Sequence, residues 1–459
     1  MVVVLGSETE YGALYISEEG ISTKIYHYLF EGIDHLHYNV FLPNGSRYYV
    51  DTGNHPECST PECRTARDLV RWEKANELFM LRQKRLGIKK LREKGYTGDI
   101  GIIKHNTADD IDGGQATFGY HENYLIHRKT SIDKVITQII PFLVTRQIYT
   151  GAGNFVKNKY HMSQRARFMC YEIGDTTYNR GMISFKDEPL SNRDKYRRVH
   201  IISGDTNMSE YTTYLKLGTT ALVLDMIEGG YLKDIPSIKN PIAELRGISK
   251  NLDVNKPILL DNCKRTTPIE VQRLYCDLAE KFYFREMSSK DPETLDILDK
   301  WNYILDSLAK GDFDSLSNKI DWVIKKNLLD FLIEKMGLTL GSSDPEIINK
   351  IKDLDMGYHY IDDDGFYNIL KKRHKVMRIV SDEEIMFASE NPPQNTRAKL
   401  RGDLVRRYPE LGGIIGWSRL PLLTKKESKN LNFIFDEPLN TYPVLFDCIS
   451  EEYGKLLSY

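Results

Sequence analysis

Cysteine is scarce in this chain: six in 459 residues, at positions 58, 63, 170, 263, 276 and 448. That density excludes a scaffold built on disulfides. Cys58 and Cys63 are the only close pair, and no second Cys or His pair stands near them at zinc-ligand spacing. Both read as reduced thiols of a cytoplasmic protein. Long apolar runs are missing as well. No stretch approaches the roughly 20 residues of a membrane span, and Val2–Leu5 is too short for the core of a signal peptide. Net charge is nearly absent: 63 Lys and Arg against 65 Asp and Glu leave −2. A whole-surface electrostatic grip on nucleic acid is thereby excluded, and any basic groove must be local. Common nucleotide and hydrolase signatures are missing too. There is no GxxxxGK[ST] loop, Gly151-Ala152-Gly153 lacks the third glycine of GxGxxG, and neither GxSxG nor HExxH occurs.

What is present is an ordinary globular composition, 41% hydrophobic and 28% charged, with enough apolar mass for a large core. Tyrosine is abundant, 28 against 17 Phe and 4 Trp, and its polar tip suits wet grooves and interfaces. Up to about residue 205 the chain reads mainly as strands, among them Ser46–Asp51, Ile100–Lys104, His121–Arg128 and Arg198–Ser203. A helix is predicted from about Thr65 to Lys94 and another from Met208 to the Gly229-Gly230 stop. Helices then dominate residues 265–335. Strands first and helices later, without alternation, predict an α+β fold on a large antiparallel sheet. Length alone allows about three domains of about 150 residues.

The informative residues are acids on strands. In Glu8-Thr9-Glu10 the two carboxylates share one strand face, which is destabilising unless a cation lies between them. A hard divalent ion such as Mg²⁺ answers that need; an ordinary solvated pair is the plainer alternative. In Arg47-Tyr48-Tyr49-Val50-Asp51, a cation, a phenol and a carboxylate share one face while Tyr48 and Val50 take the other. A surface strand with an Arg–Asp pair would also explain it. Glu57, Thr60 and His121-Glu122-Asn123 extend the set. Together they read as a sheet whose concave face carries metal ligands and phosphate-binding cations.

Several runs resemble the Pup ligase and depupylase family. They include Gly6-Ser7-Glu8-Thr9-Glu10-Tyr11-Gly12, Asn44-Gly45-Ser46-Arg47-Tyr48-Tyr49-Val50-Asp51, His55-Pro56-Glu57-Cys58-Ser59-Thr60-Pro61-Glu62-Cys63 and Gly119-Tyr120-His121-Glu122-Asn123. Phe142-Leu143-Val144-Thr145-Arg146-Gln147, Ser163-Gln164-Arg165, Tyr196-Arg197-Arg198-Val199-His200, Gly204-Asp205-Thr206-Asn207 and Pro392-Pro393 through Arg401-Gly402 continue the likeness end to end. The resemblance implies a glutamine-synthetase-like fold: a large antiparallel sheet cradle packed with helices, spanning residues 1–385, plus a small C-terminal domain at 386–459. It implies an ATP-dependent carboxylate–amine ligase joining the C-terminal glutamate of a small, acidic Pup-like modifier to lysines of target proteins. A bacterial proteasome pathway is an implied setting, and neither nucleic acid nor membrane is an implied partner.

By position, the resemblance assigns Glu8, Tyr49 and Glu57 to magnesium, Arg47, Thr60 and Trp417 to ATP, and Asp51 to the catalytic base. Glu10 is given a helping role at the metal, and Arg198 with His200 a phosphate contact. The family's opposite activity, hydrolysis of the same isopeptide bond, is the alternative. Depupylases carry a long insertion after the first strand, whereas only 31 residues separate Gly12 from Asn44 here. Three residues, Thr52, Gly53 and Asn54, lie between Asp51 and His55, which is the ligase spacing. Tyr214–Thr220 and Arg71-Trp72-Glu73-Lys74 look at least as much like depupylases. Lys186 and Leu190 depart from the family's Arg and His, and His105 from its Asn. Basic residues at 82–92 and 371–375 are candidate docking surfaces for an acidic modifier, though a solvated helix face explains them equally.

Overall fold

The computed structural model describes the chain except residues 1, 18–19, 23–24, 34–37, 52, 108–116, 157–158, 176–178, 185–187, 287–290, 424–429 and 458–459. Lys186 and Thr52 therefore lie outside the described residues. Among the described residues, thirteen strands lie before residue 202, interrupted by helices such as Ala66–Glu93 and Ile132–Thr145. They are β1 (Val4–Glu10), β2 (Gly12–Ser17), β3 (Gly20–Ser22), β4 (Asn39–Phe41), β5 (Arg47–Val50), β6 (Pro56–Ser59) and β7 (Asp99–Ile103). After them come β8 (Tyr120–His127), β9 (Asn154–Val156), β10 (Lys159–His161), β11 (Tyr171–Gly174), β12 (Gly181–Ser184) and β13 (Tyr196–Ile201). Eight form one sheet in the order β11-β12-β13-β8-β1-β6-β5-β4, while β3-β2-β7 make a smaller one.

The expectation of an antiparallel sheet needs one correction. Every pair in the large sheet runs antiparallel except β11 and β12, which are parallel, so the sheet is mixed. Alternation of residue types reports which face a side chain takes, and carries nothing about the direction of a four-residue edge strand.

One face of the sheet is the floor of the main core. Leu5 of β1, Tyr124 and Ile126 of β8, and Val199 and Ile201 of β13 are buried against three helices, α1 (Ala66–Glu93), α2 (Ile132–Thr145) and the four-residue α3 (Gln147–Thr150). The same core includes α4 (Glu210–Glu228), almost wholly buried and packed directly on β8. The caps explain where these helices start. Thr65 accepts from the Asp68 N–H at the head of α1, and Ser209 accepts from Thr212 N–H at the head of α4. Gly218 lets α4 approach the helix Pro292–Lys310; a Cβ there would stand 2.5 Å from Ile297 Cδ1.

Buried polar groups on this same face are paired. Glu122 of β8 lies against Arg146 in a two-pronged ion pair, with Nη1 donating to Oε2 at 2.9 Å. Lys104 donates to Glu73 and Glu77 at 3.1 and 2.7 Å. These contacts fix the strands from behind and leave the opposite face free for chemistry.

A third core gathers the end of the chain. Leu400, Leu404, Leu411, Leu420 and Phe435 pack together with Phe41 of β4, and Trp417 lies on its edge. The position 385/386 falls inside the helix Asp382–Glu390, which Arg67 and Arg71 of α1 hold through Glu384. Among the described residues no helix is long and apolar enough to cross a membrane.

Candidate active site

Period-two alternation sends Glu8 and Glu10 to the face of the sheet away from the main core, and the ladder then builds two rows across it. Tyr49, Glu57 and Glu10 are register partners in sequence across β5, β6 and β1. Arg47, Ser59, Glu8 and His121 make the neighbouring row across β5, β6, β1 and β8. Asn123 and His200, partners across β8 and β13, stand beside it.

Glu8 is held from one side. His121 Nδ1 lies 3.0 Å from Oε2, Asn123 donates to Oε1 at 3.0 Å, and Arg198 Nη1 stands 3.7 Å away. Burial opposes ionisation of Glu8, but the His121 hydrogen bond and the charges of His200, His121 and Arg198 outweigh it and hold the carboxyl far below its usual range. Asn123 Oδ1 in turn accepts from Arg198 at 3.1 Å and sits 2.8 Å from His200 Nδ1. Arg198 Nε is buried and finds no hydrogen-bond partner among the described residues.

Glu57 has the opposite character. Burial, then the negative charges of Glu10 and Glu8, push its carboxyl well above the ordinary range, against a hydrogen bond from Tyr49. Among the described residues no Lys or Arg reaches ion-pair distance of it. Tyr49 is itself pushed up by burial and by Glu57 and Glu8, and its hydroxyl accepts from Ser59 Oγ at 3.2 Å. Arg47 lies over the Tyr49 ring at 4.5 Å and donates to Asn39 at 2.8 Å.

Asp51 closes the row just beyond β5. Its Oδ1 accepts from the main-chain N–H groups of Gly53 and His55 at 2.9 and 2.8 Å, a tight side-chain turn with Asn54 at φ +62°. Oδ2 has no partner among the described residues. Burial and the Glu10 charge raise the carboxyl, the direction a general base for an amine requires.

Along β1 in the other direction the face becomes apolar. A pocket runs from Glu8, Asn123 and Arg198 to Val4, Leu125, Leu190 and Trp417. One end is charged and the other is a slot for a flat apolar group. Trp417 is presented by Arg401, whose guanidinium lies 4.9 Å from the indole, and by the edge of Phe41 at 5.0 Å. Thr60 reaches the same pocket, its hydroxyl accepting from Ser7 N–H at 3.0 Å. Glu62 locks this end. Arg397 Nε and Arg401 Nη1 donate to Oε1 at 2.7 and 2.9 Å, and the two arginines outweigh burial to hold the carboxyl down at about 2.

Glu8, Arg47, Tyr49, Asp51, Glu57 and Thr60 are thus neighbours on one face, and Trp417 joins them from the end of the chain. Two contributors have no role in the sequence reading: His55, present only as part of the His55-Pro56-Glu57 run, and the Glu62 clamp. Gly119 is a third, because a Cβ there would stand 2.4 Å from Glu10 Oε1. The basic runs are partly spoken for. Lys84 pairs with Asp362, Lys90 with Glu31 and Glu93, and Lys372 with Asp363. His105, the departure from the family's Asn, is buried with its Nε2 3.0 Å from Asp355.

The carboxylate-lined sheet face that opens into an apolar slot, on an α+β cradle, is the candidate active site of an enzyme. Residues 3–421 match the family described as Pup-ligase protein, and the chain belongs to that family. It is 38% identical over 432 residues to the Pup–protein ligase of Pseudarthrobacter chlorophenolicus, covering 91% of this chain and 93% of that one. The Pup–protein ligase of Kineococcus radiotolerans is also 38% identical, over 418 residues, with 89% and 90% covered. Among solved structures, the complex between the ubiquitin-like protein Pup and its ligase PafA superposes with a TM-score of 0.88 at 30% identity, covering 99% of this chain and 92% of that one. The ligase PafA in complex with ADP gives 0.82 at 30% identity, with 92% and 91% covered.

Proposed function

We propose that this chain is an ATP-dependent ligase that phosphorylates the side-chain carboxylate of the C-terminal glutamate of a small Pup-like modifier, then joins it by an isopeptide bond to lysines of target proteins. The observation that carries the reading is one sheet face on which the Trp417 slot meets Glu8 and Arg198 and the strand register leads on from Glu8 and Glu10 to Glu57 and Tyr49, two residues from Asp51. In this proposal the slot takes the adenine, stacked on Trp417, and Arg47, Thr60 and Arg198 take the phosphates. The buried, unpartnered Arg198 Nε supports that assignment. Residues 1–385 carry the reaction, and 386–459 supply the wall of the slot.

Magnesium fits the donor set. Glu8, Glu57 and the Tyr49 phenol are hard oxygen ligands, and a buried Glu57 with two like-charged neighbours and no basic partner is what a divalent cation relieves. When bound, Mg²⁺ supplies charge neutralisation to the phosphates. The residues of the chain do the rest by positioning. An oxygen of the modifier carboxylate attacks the γ-phosphorus, the new O–P bond forms, and ADP leaves with the electrons of the bond that breaks. The resulting acyl phosphate is electrophilic. A lysine ammonium gives one proton to Asp51 Oδ2, and its nitrogen attacks the carbonyl carbon. The C–N bond forms as the C–O bond to phosphate breaks, and phosphate departs with that electron pair and the remaining surplus proton.

Hydrolysis of the same bond is the weaker reading, because the connection from β1 to β5 has no room for the depupylase insertion. The proposed setting is the cytoplasm, where ATP is available and the cysteines stay free. The reading is tested with purified protein, ATP, Mg²⁺, a Pup-like modifier ending in glutamate and a lysine-bearing target. Conjugate is expected, and Asp51→Asn is expected to bind ATP yet form none. A protein that cleaves conjugates and never makes them would overturn the assignment.

A further inference from the structure

Glu8 and Glu10 share a strand face but answer to different partners. Glu8 is gripped from β8 and β13. Glu10 is held from the other side, by the turn that follows β5: His55 Nδ1 lies 3.2 Å from Glu10 Oε2. The same nitrogen stands 3.6 Å from Asp51 Oδ1. His55 also touches Asp51 through its main chain, donating its N–H to Oδ1 at 2.8 Å, while the carbonyl of His55 accepts from Asp51 N–H at 3.1 Å. The ring is fixed by Phe118, whose centroid is 4.4 Å away. One residue therefore links two carboxylates that would otherwise repel, and leaves Asp51 with one oxygen engaged and one open. A strand end followed by a four-residue turn has several ways to place an aspartate; the His55 links select one.

We propose that His55 is a positioning residue for the amine-transfer half of the reaction, holding Asp51 and Glu10 as a pair of acceptors for the incoming lysine ammonium. The inference rests on the reading of Asp51 as the base. It separates the two half-reactions. Phosphorylation of the modifier needs Glu8, Tyr49 and Glu57 at the metal and the phosphate-binding cations; among the described residues His55 pairs with none of these side chains, and it reaches the metal's neighbourhood through Glu10. Deprotonation of lysine needs Asp51 at a fixed place and orientation.

The experiment compares two nucleophiles on the same acyl phosphate, at neutral pH, with the full chain, ATP, Mg²⁺ and a modifier ending in glutamate. One is a lysine-bearing target, which must lose a proton. The other is hydroxylamine, which is already neutral there and traps the acyl phosphate as a hydroxamate. For His55→Ala the rate of lysine conjugation is expected to fall by about 10-fold or more relative to the rate of hydroxamate formation. His55→Asn keeps a donor near the Nδ1 position and should recover much of that ratio. Thermal melting and ADP binding of each variant report whether the fold is intact. An unchanged ratio in a folded His55→Ala protein overturns the inference, as does a ratio that His55→Asn leaves as low as His55→Ala does. Asp51→Asn run in parallel isolates the underlying reading: lysine conjugation at the normal rate in that variant overturns the base assignment itself.

Discussion

Glu10 of β1 and Glu57 of β6 are direct partners in an antiparallel ladder, two carboxylates facing one another across adjacent buried strands. His55 and the Gly119 N–H, with the charge of His121, draw Glu10 below its ordinary range despite burial. Glu57 has the Tyr49 hydrogen bond as its stabilising contact and is driven the other way. Two carboxylates so placed repel one another unless a cation lies between them, and function is the reason to retain the arrangement.

Replacing Glu57 by Gln keeps an acceptor for Tyr49 while removing the charge. In the absence of divalent ions this variant is expected to be more stable than the parent by about 1 kcal/mol, read by chemical denaturation. With Mg²⁺ and ADP the order should reverse, since only the parent gains from the ion, and conjugation should be lost. A variant less stable than the parent without metal would refute the idea of stored repulsion.

Trp417 is expected to supply a large part of the nucleotide's binding energy. Trp417→Ala should weaken ADP binding by about 10-fold or more, as base–aromatic stacking is worth about 1–3 kcal/mol. Calorimetric titration measures this directly. Equal affinity in the two proteins would remove Trp417 from the slot.

Arg198 offers a test of the phosphate end. Arg198→Lys retains a positive charge but loses the buried Nε. Its affinity for ATP should drop by about 10-fold, a charged hydrogen bond being worth about 1.5–3 kcal/mol, while affinity for adenosine changes little. A parallel loss for both ligands would place Arg198 away from the phosphates.

The Glu62 clamp makes stability depend on acid. Its carboxyl titrates at about 2 in the fold, against an ordinary 4.5. A lowered folded value means the contribution is fully present above about 4.5 and is lost as pH falls from there towards 2. The amount at stake is on the order of 3 kcal/mol. Denaturation midpoints measured from pH 6 down to pH 3 should therefore fall more steeply for the parent than for Glu62→Gln. Parallel curves would rule the clamp out as a source of acid sensitivity.

Much of the carboxylate-lined face was readable from residue order, because alternation in a strand assigns faces without knowledge of partners. Glu8 with Glu10, and Arg47 with Tyr49 and Asp51, fall out of that rule alone. Register across strands does not, so the meeting of Glu10 with Glu57 required the structure. Contacts between distant segments were least legible. Glu62 and Arg401 are separated by 339 positions, and nothing local in either stretch announces the pairing. The basic helix face showed the converse difficulty, since a run of lysines and arginines looks alike whether or not acids such as Asp362 and Glu31 lie opposite. The parallel edge of the sheet went unread for a similar reason: four residues of Tyr171–Gly174 carry no trace of direction.

The clamp that seats Trp417 also sets an order of events. A ribosome delivers the carboxylate strands first, and the arginines that lock the far wall emerge hundreds of positions later. A chain halted before Arg397 would carry the acidic strands without the partners of Glu62. On the proposed assignment, the adenine slot therefore waits for the synthesis of Arg397 and Arg401, and a copy cut short before them lacks it.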